Sequence, residues 1–174
     1  DRLSGKAVRE FVRDENGIIW IGTEDQGLNR FDPVSGKFTH YNSRNSGLSC
    51  DNVHGLCVDG DRLYIGTFFG GFNIMDLKTN EIVALGSQML PDDSVFSIFR
   101  DHDGRIWVGL TYGLCLFQSK CRERKLERIL CLIRHFDIQT ASIFFGYFNF
   151  QILICVIGRK STCKLMSSVK RIGI

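Results

Sequence analysis

Up to Gln118 the apolar residues of this chain fall into short runs, each broken by a cluster of Asp, Asn, Gly or Ser. Val8–Arg13, Ile18–Thr23, Leu28–Asp32 and Lys37–Tyr41 are such runs, rich in β-branched and aromatic residues. That composition suits a pleated, half-buried surface, so the pattern predicts four successive strands. The pattern then repeats. Ile19-Trp20-Ile21-Gly22-Thr23 returns as Leu63-Tyr64-Ile65-Gly66-Thr67 and as Ile106-Trp107-Val108-Gly109-Leu110, with the aromatic residues 44 and 43 positions apart. A second glycine and an apolar residue follow each copy, Gly27-Leu28, Gly71-Phe72 and Gly113-Leu114. An acidic turn precedes each copy, Asp14-Glu15-Asn16-Gly17, Asp59-Gly60-Asp61 and Asp101-His102-Asp103-Gly104. Leu3 and Val8, Leu48 and Val53, and Leu90 and Val95 hold one five-residue offset upstream.

A four-strand unit with a step of this length is the signature of a β-propeller blade. A β-helix repeats in shorter steps, and a sandwich lacks such self-similarity. Asn16-Gly17 and Asp103-Gly104 place residues that tolerate positive φ at a tight hairpin, and the second copy, one residue shorter, uses Asp59-Gly60. Pro33 with Gly36, and Lys78-Thr79-Asn80, mark the turns between third and fourth strands. The aromatic before each glycine is expected to pack between neighbouring blades. The predicted fold is therefore all-β, a partial β-propeller of two full four-stranded blades and most of a third, over about 1–45, 46–88 and 89–118. A C-terminal tail, helical or disordered, follows.

The motif from Asp14 to Leu28, Asp-x-x-Gly-x-Ile-Trp-Ile-Gly-Thr-x-x-x-Gly-Leu, resembles the two-component regulator propeller repeat. The third copy departs at Leu110 and in a shorter gap before Gly113, and the second at Tyr64 and in its turn. The resemblance covers roughly two thirds of the chain. It implies a parent similar to a hybrid sensor histidine kinase, in which a periplasmic propeller senses a ligand, often a carbohydrate, and a membrane helix carries the signal to a cytoplasmic kinase in a phosphorelay. The chain holds no phospho-acceptor His box, no ATP-binding glycine motif and no receiver aspartate cluster. It is expected to be a fragment of the sensing part, not an enzyme, with no cofactor or metal and with further blades of the parent chain as its partners. The alternative is a structural or protein-interaction propeller without a small ligand.

Loops that occupy equivalent places in a repeat, but vary in sequence, suit a recognition surface. Those between the Ile-Gly-Thr strand and the next glycine fit that description. They nominate Glu24, Asp25, Gln26, Phe68, Phe69 and Tyr112 as ligand-binding residues; the competing expectation is that the three aromatic ones only pack between blades.

Bulk composition changes this picture at one place. The net charge of +3 conceals 11 basic and 16 acidic side chains up to Gln118, against 11 and 3 beyond it. Four of the seven cysteines, Cys121, Cys131, Cys155 and Cys163, lie in that shorter second part. The odd number and the absence of Cys-x-x-Cys spacing argue against a disulfide framework or zinc site. Cys57 and Cys115 lie within strand patterns and read as small core residues. Asp101 to Gly104 begins like a calcium loop but lacks its later oxygen ligands and closing Glu, so a hairpin turn is the better reading. The recurrence of Asp14, Asp59 and Asp101 at one place in each repeat points to turn formation, not to a catalytic carboxylate pair.

From residue 119 the repeat is expected to stop. Leu126, Ile129, Leu130 and Ile133 stand at helical spacing within Arg122–Arg134, predicting a basic amphipathic segment. Ile138–Ile157 carries no charged side chain and is long enough to span a bilayer, though Gln139, Thr140, Asn149 and Gln151 interrupt it. The joint change in repeat, charge and cysteine density also fits an out-of-frame extension. A basic tail for a membrane surface has the charge but no binding motif, and no nucleic-acid motif accompanies it.

Overall fold

The computed structural model describes residues 2–85 and 90–118, and the backbone of 128–133. The expectations for 119–127 and for 134–174, the membrane-spanning reading of 138–157 included, lie outside the described residues.

Among the described residues twelve strands form three antiparallel sheets, each in simple sequence order. The first sheet holds β1 (Val8–Arg13), β2 (Ile19–Thr23), β3 (Leu28–Asp32) and β4 (Lys37–Tyr41). The second holds β5 (Val53–Asp59), β6 (Arg62–Thr67), β7 (Gly71–Asp76) and β8 (Ile82–Ala84). The third holds β9 (Val95–Arg100), β10 (Ile106–Leu110), β11 (Gly113–Gln118) and β12 (Arg128–Ile133). These are the predicted blades, with one correction. Where helical spacing predicted a helix, residues 128–133 form the fourth strand of the third blade, with Cys131 opposite Cys115 and Leu130 opposite Leu116. Ile129 to Ile133 is an unbroken apolar run, which serves either geometry; β11 presents a row of backbone donors and acceptors that only a strand can pair.

Each hairpin follows from its turn chemistry. The Asp14 carboxylate accepts the N–H groups of Asn16 (2.9 Å) and Ile18 (3.0 Å) and the Trp20 indole N–H (2.9 Å). Asp101 repeats this with Asp103, Arg105 and Trp107. In the first and third blades the recurring acid is therefore the centre of a turn, where it satisfies donors that would otherwise be stranded, whereas the Asp59 carboxylate accepts from Arg100 Nε of the third blade at 2.8 Å. In the second blade Asp59 lies directly opposite Arg62, and Gly60, with φ of 57°, is the first of the two residues between them, the place where a II′ hairpin needs glycine.

The blades stack face to face. Trp20 and Tyr64 are buried against the following blade, while Leu63, Ile65, Ile106 and Val108, which flank the aromatic position, face the preceding one. Cys57 and Cys115 are buried together in the core between the second and third blades, as small core residues should be. The motif glycines allow the close approach. A Cβ on Gly22 would stand 2.6 Å from Val53 Cγ1, and one on Gly66 would stand 2.3 Å from Val95 Cγ1. The valine and the glycine of the repeat are thus partners across adjacent blades.

A second link between blades is polar. Asn73 is buried, and its Oδ1 accepts the N–H of Ser49 at 3.0 Å; Asn29 accepts Ser4 N–H in the same way at 2.9 Å. In the third copy the position after the leucine is Pro91, which has no N–H to give, and the acceptor's place is taken by Cys115. Donor and acceptor are thus lost together in the third copy.

Candidate functional site

The first strands β1, β5 and β9 lie beside one another. In each, the register slips by one residue near its start: Val8 and Glu10, Val53 and Gly55, and Val95 and Ser97 pair with consecutive positions of the second strand. The skipped residues are Arg9, His54 and Phe96. A bulge of this kind re-aims one side chain and leaves the ladder on either side intact. Because the first two strands of each blade are antiparallel, these bulges sit at the same end as the loops between second and third strands.

Those loops are held against the bulges by repeated contacts. Backbone N–H groups of Glu24, Phe68 and Thr111 donate to the carbonyls of Ala7, Asn52 and Ser94 at 3.0, 2.8 and 3.2 Å. Thr23 and Thr67 are buried, and their hydroxyls donate to the carbonyls of Gly27 and Gly71, closing each loop on itself. Leu110 has no hydroxyl for the third loop.

The result is a continuous ring-rich surface across neighbouring blades. Arg9 pairs with Glu24 at 2.6 Å in the first blade. His54 stacks on Phe68 in the second, with ring centroids 5.5 Å apart and planes 22° apart. Phe96 of the third blade meets both His54, edge-on at 5.5 Å, and Phe68 at 5.2 Å. Phe69 packs on Phe68 at 4.0 Å with its backbone at a φ of 70°, a conformation that costs a non-glycine residue free energy. Phe69 is 73% exposed and Phe96 42%, so large apolar surface remains open to solvent. Partial burial lowers the His54 pKa from its ordinary value, the Arg9 charge adds to this and Glu24 opposes it, so the imidazole is neutral at pH 7.

Of the residues nominated from sequence, Glu24, Phe68 and Phe69 are brought together here. Asp25 and Gln26 are exposed on the same loop but lie towards Gly5, and Tyr112, 63% exposed, makes no ring contact among the described residues. Phe69 and Tyr112 do not pack between blades. Arg9, His54 and Phe96 were missed. Their signal was present, since each directly follows the valine landmark of its repeat, but strand alternation gives no reason to aim that residue at a loop. Among the described residues no group of three His, Cys, Asp or Glu side chains converges as a metal site would require.

Residues 2–25 and 89–112 match the family model described as the two component regulator propeller. A curated relative, histidine kinase P4 of Formosa agariphila, is 30% identical over 118 residues, which are 64% of this chain and 8% of that protein. The extracellular domain of a hybrid two-component system from B. thetaiotaomicron superposes with a TM-score of 0.58 at 28% identity, over 65% of this chain and 16% of that one. The extracellular domain of a one-component system from the same organism shares the fold, with a TM-score of 0.58 at 22% identity over 73% of this chain and 18% of its own length. The chain thus spans a small part of each relative. Together, the blade geometry and these matches show that it carries two-component regulator propeller repeats and that its propeller resembles the extracellular sensor regions of two-component systems.

Proposed function

We propose that this propeller is the ligand-sensing part of a two-component sensor on the periplasmic side of a membrane, and that it binds a small extracellular ligand of the carbohydrate class at the end formed by Arg9, Glu24, His54, Phe68, Phe69 and Phe96. The observation that carries the reading is the exposed ring cluster of His54, Phe68, Phe69 and Phe96 on loops and bulges that the rest of the fold holds in place. An aromatic face takes the apolar C–H face of a sugar ring. The neighbouring Arg9 and Glu24 supply a donor and an acceptor for its hydroxyls. Large exposed rings are costly to leave in water, and concentrated on one end they mark a recognition surface.

The role of the chain is binding, with the chemistry of the phosphorelay left to other parts of the parent protein. A ligand shifts a signalling equilibrium only by the difference in its affinity for the two states. A site built across three blades can supply that difference, because any change in blade spacing alters the distance from Glu24 to Phe96. Further blades of the parent chain are its structural partners.

The test is calorimetric titration of the chain with a panel of neutral oligosaccharides, repeated on Phe69→Ala and Phe96→Ala. Both side chains are substantially exposed, so both variants retain the fold. Loss of one stacking ring is expected to weaken binding by about tenfold. Unchanged affinity in both variants would remove this end of the propeller as the site.

A further inference from the structure

The blades are copies of one frame, so each cleft between them serves as a control for the other. In the first blade Arg30 lies opposite Trp20, Thr39 lies opposite Arg30, and Tyr41 lies opposite Leu28. The same places in the second blade hold Ile74, Val83 and Leu85. Ile74 and Leu85 pack against the core between the second and third blades. Between the first and second blades the polar set instead lines an open cleft of about 380 Å³, together with Asn16 and Asn80 and the apolar Ile18, Trp20 and Leu77. That volume is within the range of small-ligand sites and equals the liquid volume of about a dozen water molecules.

The side chains in this cleft have unused capacity. Arg30 is half-buried, and its guanidinium has no hydrogen-bond acceptor or ion-pair partner among the described residues. A partly desolvated guanidinium with all five N–H donors free is unfavourable unless something else satisfies it. Tyr41 reaches across from the first blade to Asn80 Oδ1 of the second at 3.4 Å, and Asn80 sits at a φ of 61°. Asp14, the acid at the cleft wall, accepts three N–H donors and makes no ion pair with Arg30. Burial raises the Tyr41 pKa, against a smaller pull from Arg30, so the phenol is a protonated donor at pH 7.

We propose that this cleft is a second ligand site, separate from the ring-rich end, which takes a small polyhydroxylated carboxylate, with the carboxylate on the Arg30 fork and hydroxyls on Thr39, Tyr41 and Asn80. The planar fork of Arg30 matches a carboxylate, and with the negative Asp14 on the cleft wall and Asp32 near Arg30 a monoanion is repelled less than a phosphate dianion. The neutral hydroxyl and amide groups around it serve ligand hydroxyls.

D-glucuronate, D-glucose and inorganic phosphate are the probes, titrated calorimetrically into the whole chain. Glucuronate is expected to bind at least about tenfold more tightly than glucose, and phosphate to bind more weakly than glucuronate. Arg30→Ile, which installs the residue of the second blade, is expected to reduce glucuronate affinity by at least about tenfold, and Thr39→Val by a few-fold. Phe69→Ala is expected to leave it unchanged, which separates this site from the one proposed above. Should Arg30→Ile not fold, Arg30→Gln keeps the aliphatic stem and carries the same expectation. Equal affinity for glucuronate and glucose, tighter binding of phosphate, undiminished binding after loss of Arg30, or no saturation by any probe would each overturn the proposal.

Discussion

Replacing Gly66 by Ala tests whether the repeat glycine exists for the approach of the next blade. The added Cβ would lie 2.3 Å from Val95 Cγ1 and 2.9 Å from Val95 Cβ. Carbon atoms are comfortable at about 3.5–4.0 Å, so the overlap exceeds ~1 Å. Val95 is fully buried, and its strand is held by the ladder to β10, so it cannot withdraw without opening the blade. Overpacking of this kind costs about 1–3 kcal/mol. The restricted unfolded chain returns about 0.4–1 kcal/mol of that. The net expectation is a loss of about 1–2 kcal/mol, seen in urea unfolding followed by tryptophan emission as a midpoint lowered by roughly 0.5–1 M. Val95→Ala alone should cost about 2 kcal/mol through lost burial and the space it leaves. The double variant should then be less damaged than the sum of the two, by about 1 kcal/mol, because the Cγ clash is gone while the Cβ contact persists. A neutral Gly66→Ala, or a cycle additive within about 0.3–0.5 kcal/mol, would refute the pairing of glycine with valine across blades.

Asp14→Ala strands the N–H groups of Asn16 and Ile18 and the Trp20 indole, and should cost about 2–3 kcal/mol, a fall of roughly 10 °C in melting temperature; a loss below about 0.5 kcal/mol would show that the turn does not depend on its acid. For Asp101, burial raises the pKa, but hydrogen bonds from the Trp107 indole and from the Arg105 backbone and side chain outweigh it and hold the carboxyl well below its ordinary 3.8. With the folded value depressed, the stabilisation is complete at neutral pH and is lost as pH falls from about 3.8 through the folded value. Acid unfolding curves should therefore flatten in Asp101→Asn over that window, and an unchanged curve would contradict the assignment. Phe11 on the outer face of the first blade and Phe99 on that of the third are 67% and 63% exposed. The chain in isolation is therefore expected to associate with rising concentration in sedimentation velocity, whereas a monomer at all concentrations would be the contrary result.

The alternation of residue types was enough to locate the strands of the first blade and the repeat length, because a strand with one buried face writes its period into the chain and a hairpin needs residues that tolerate positive φ at a fixed place. Ile19, Trp20 and Ile21 alternate between two faces, and the Trp20 face meets the second blade. The Asp-to-Trp turn was legible for the same local reason, since acid and indole are only six residues apart. What lay beyond the sequence were relations between residues distant along the chain. Residues 128–133 satisfy helical spacing by themselves and become a strand because β11 offers a partner. Arg9, His54 and Phe96 look like ordinary strand residues until a bulge turns them towards the loops, and a bulge is a property of a strand pair, not of one strand. The same holds for Arg30, whose polarity is unremarkable in an outer strand and becomes significant only when the second blade closes over it. The sequence by itself determined the blade, through local periodicity and turn chemistry. The tertiary structure alone decided which side chains share a surface, because that depends on how one blade's face and bulges meet those of the next.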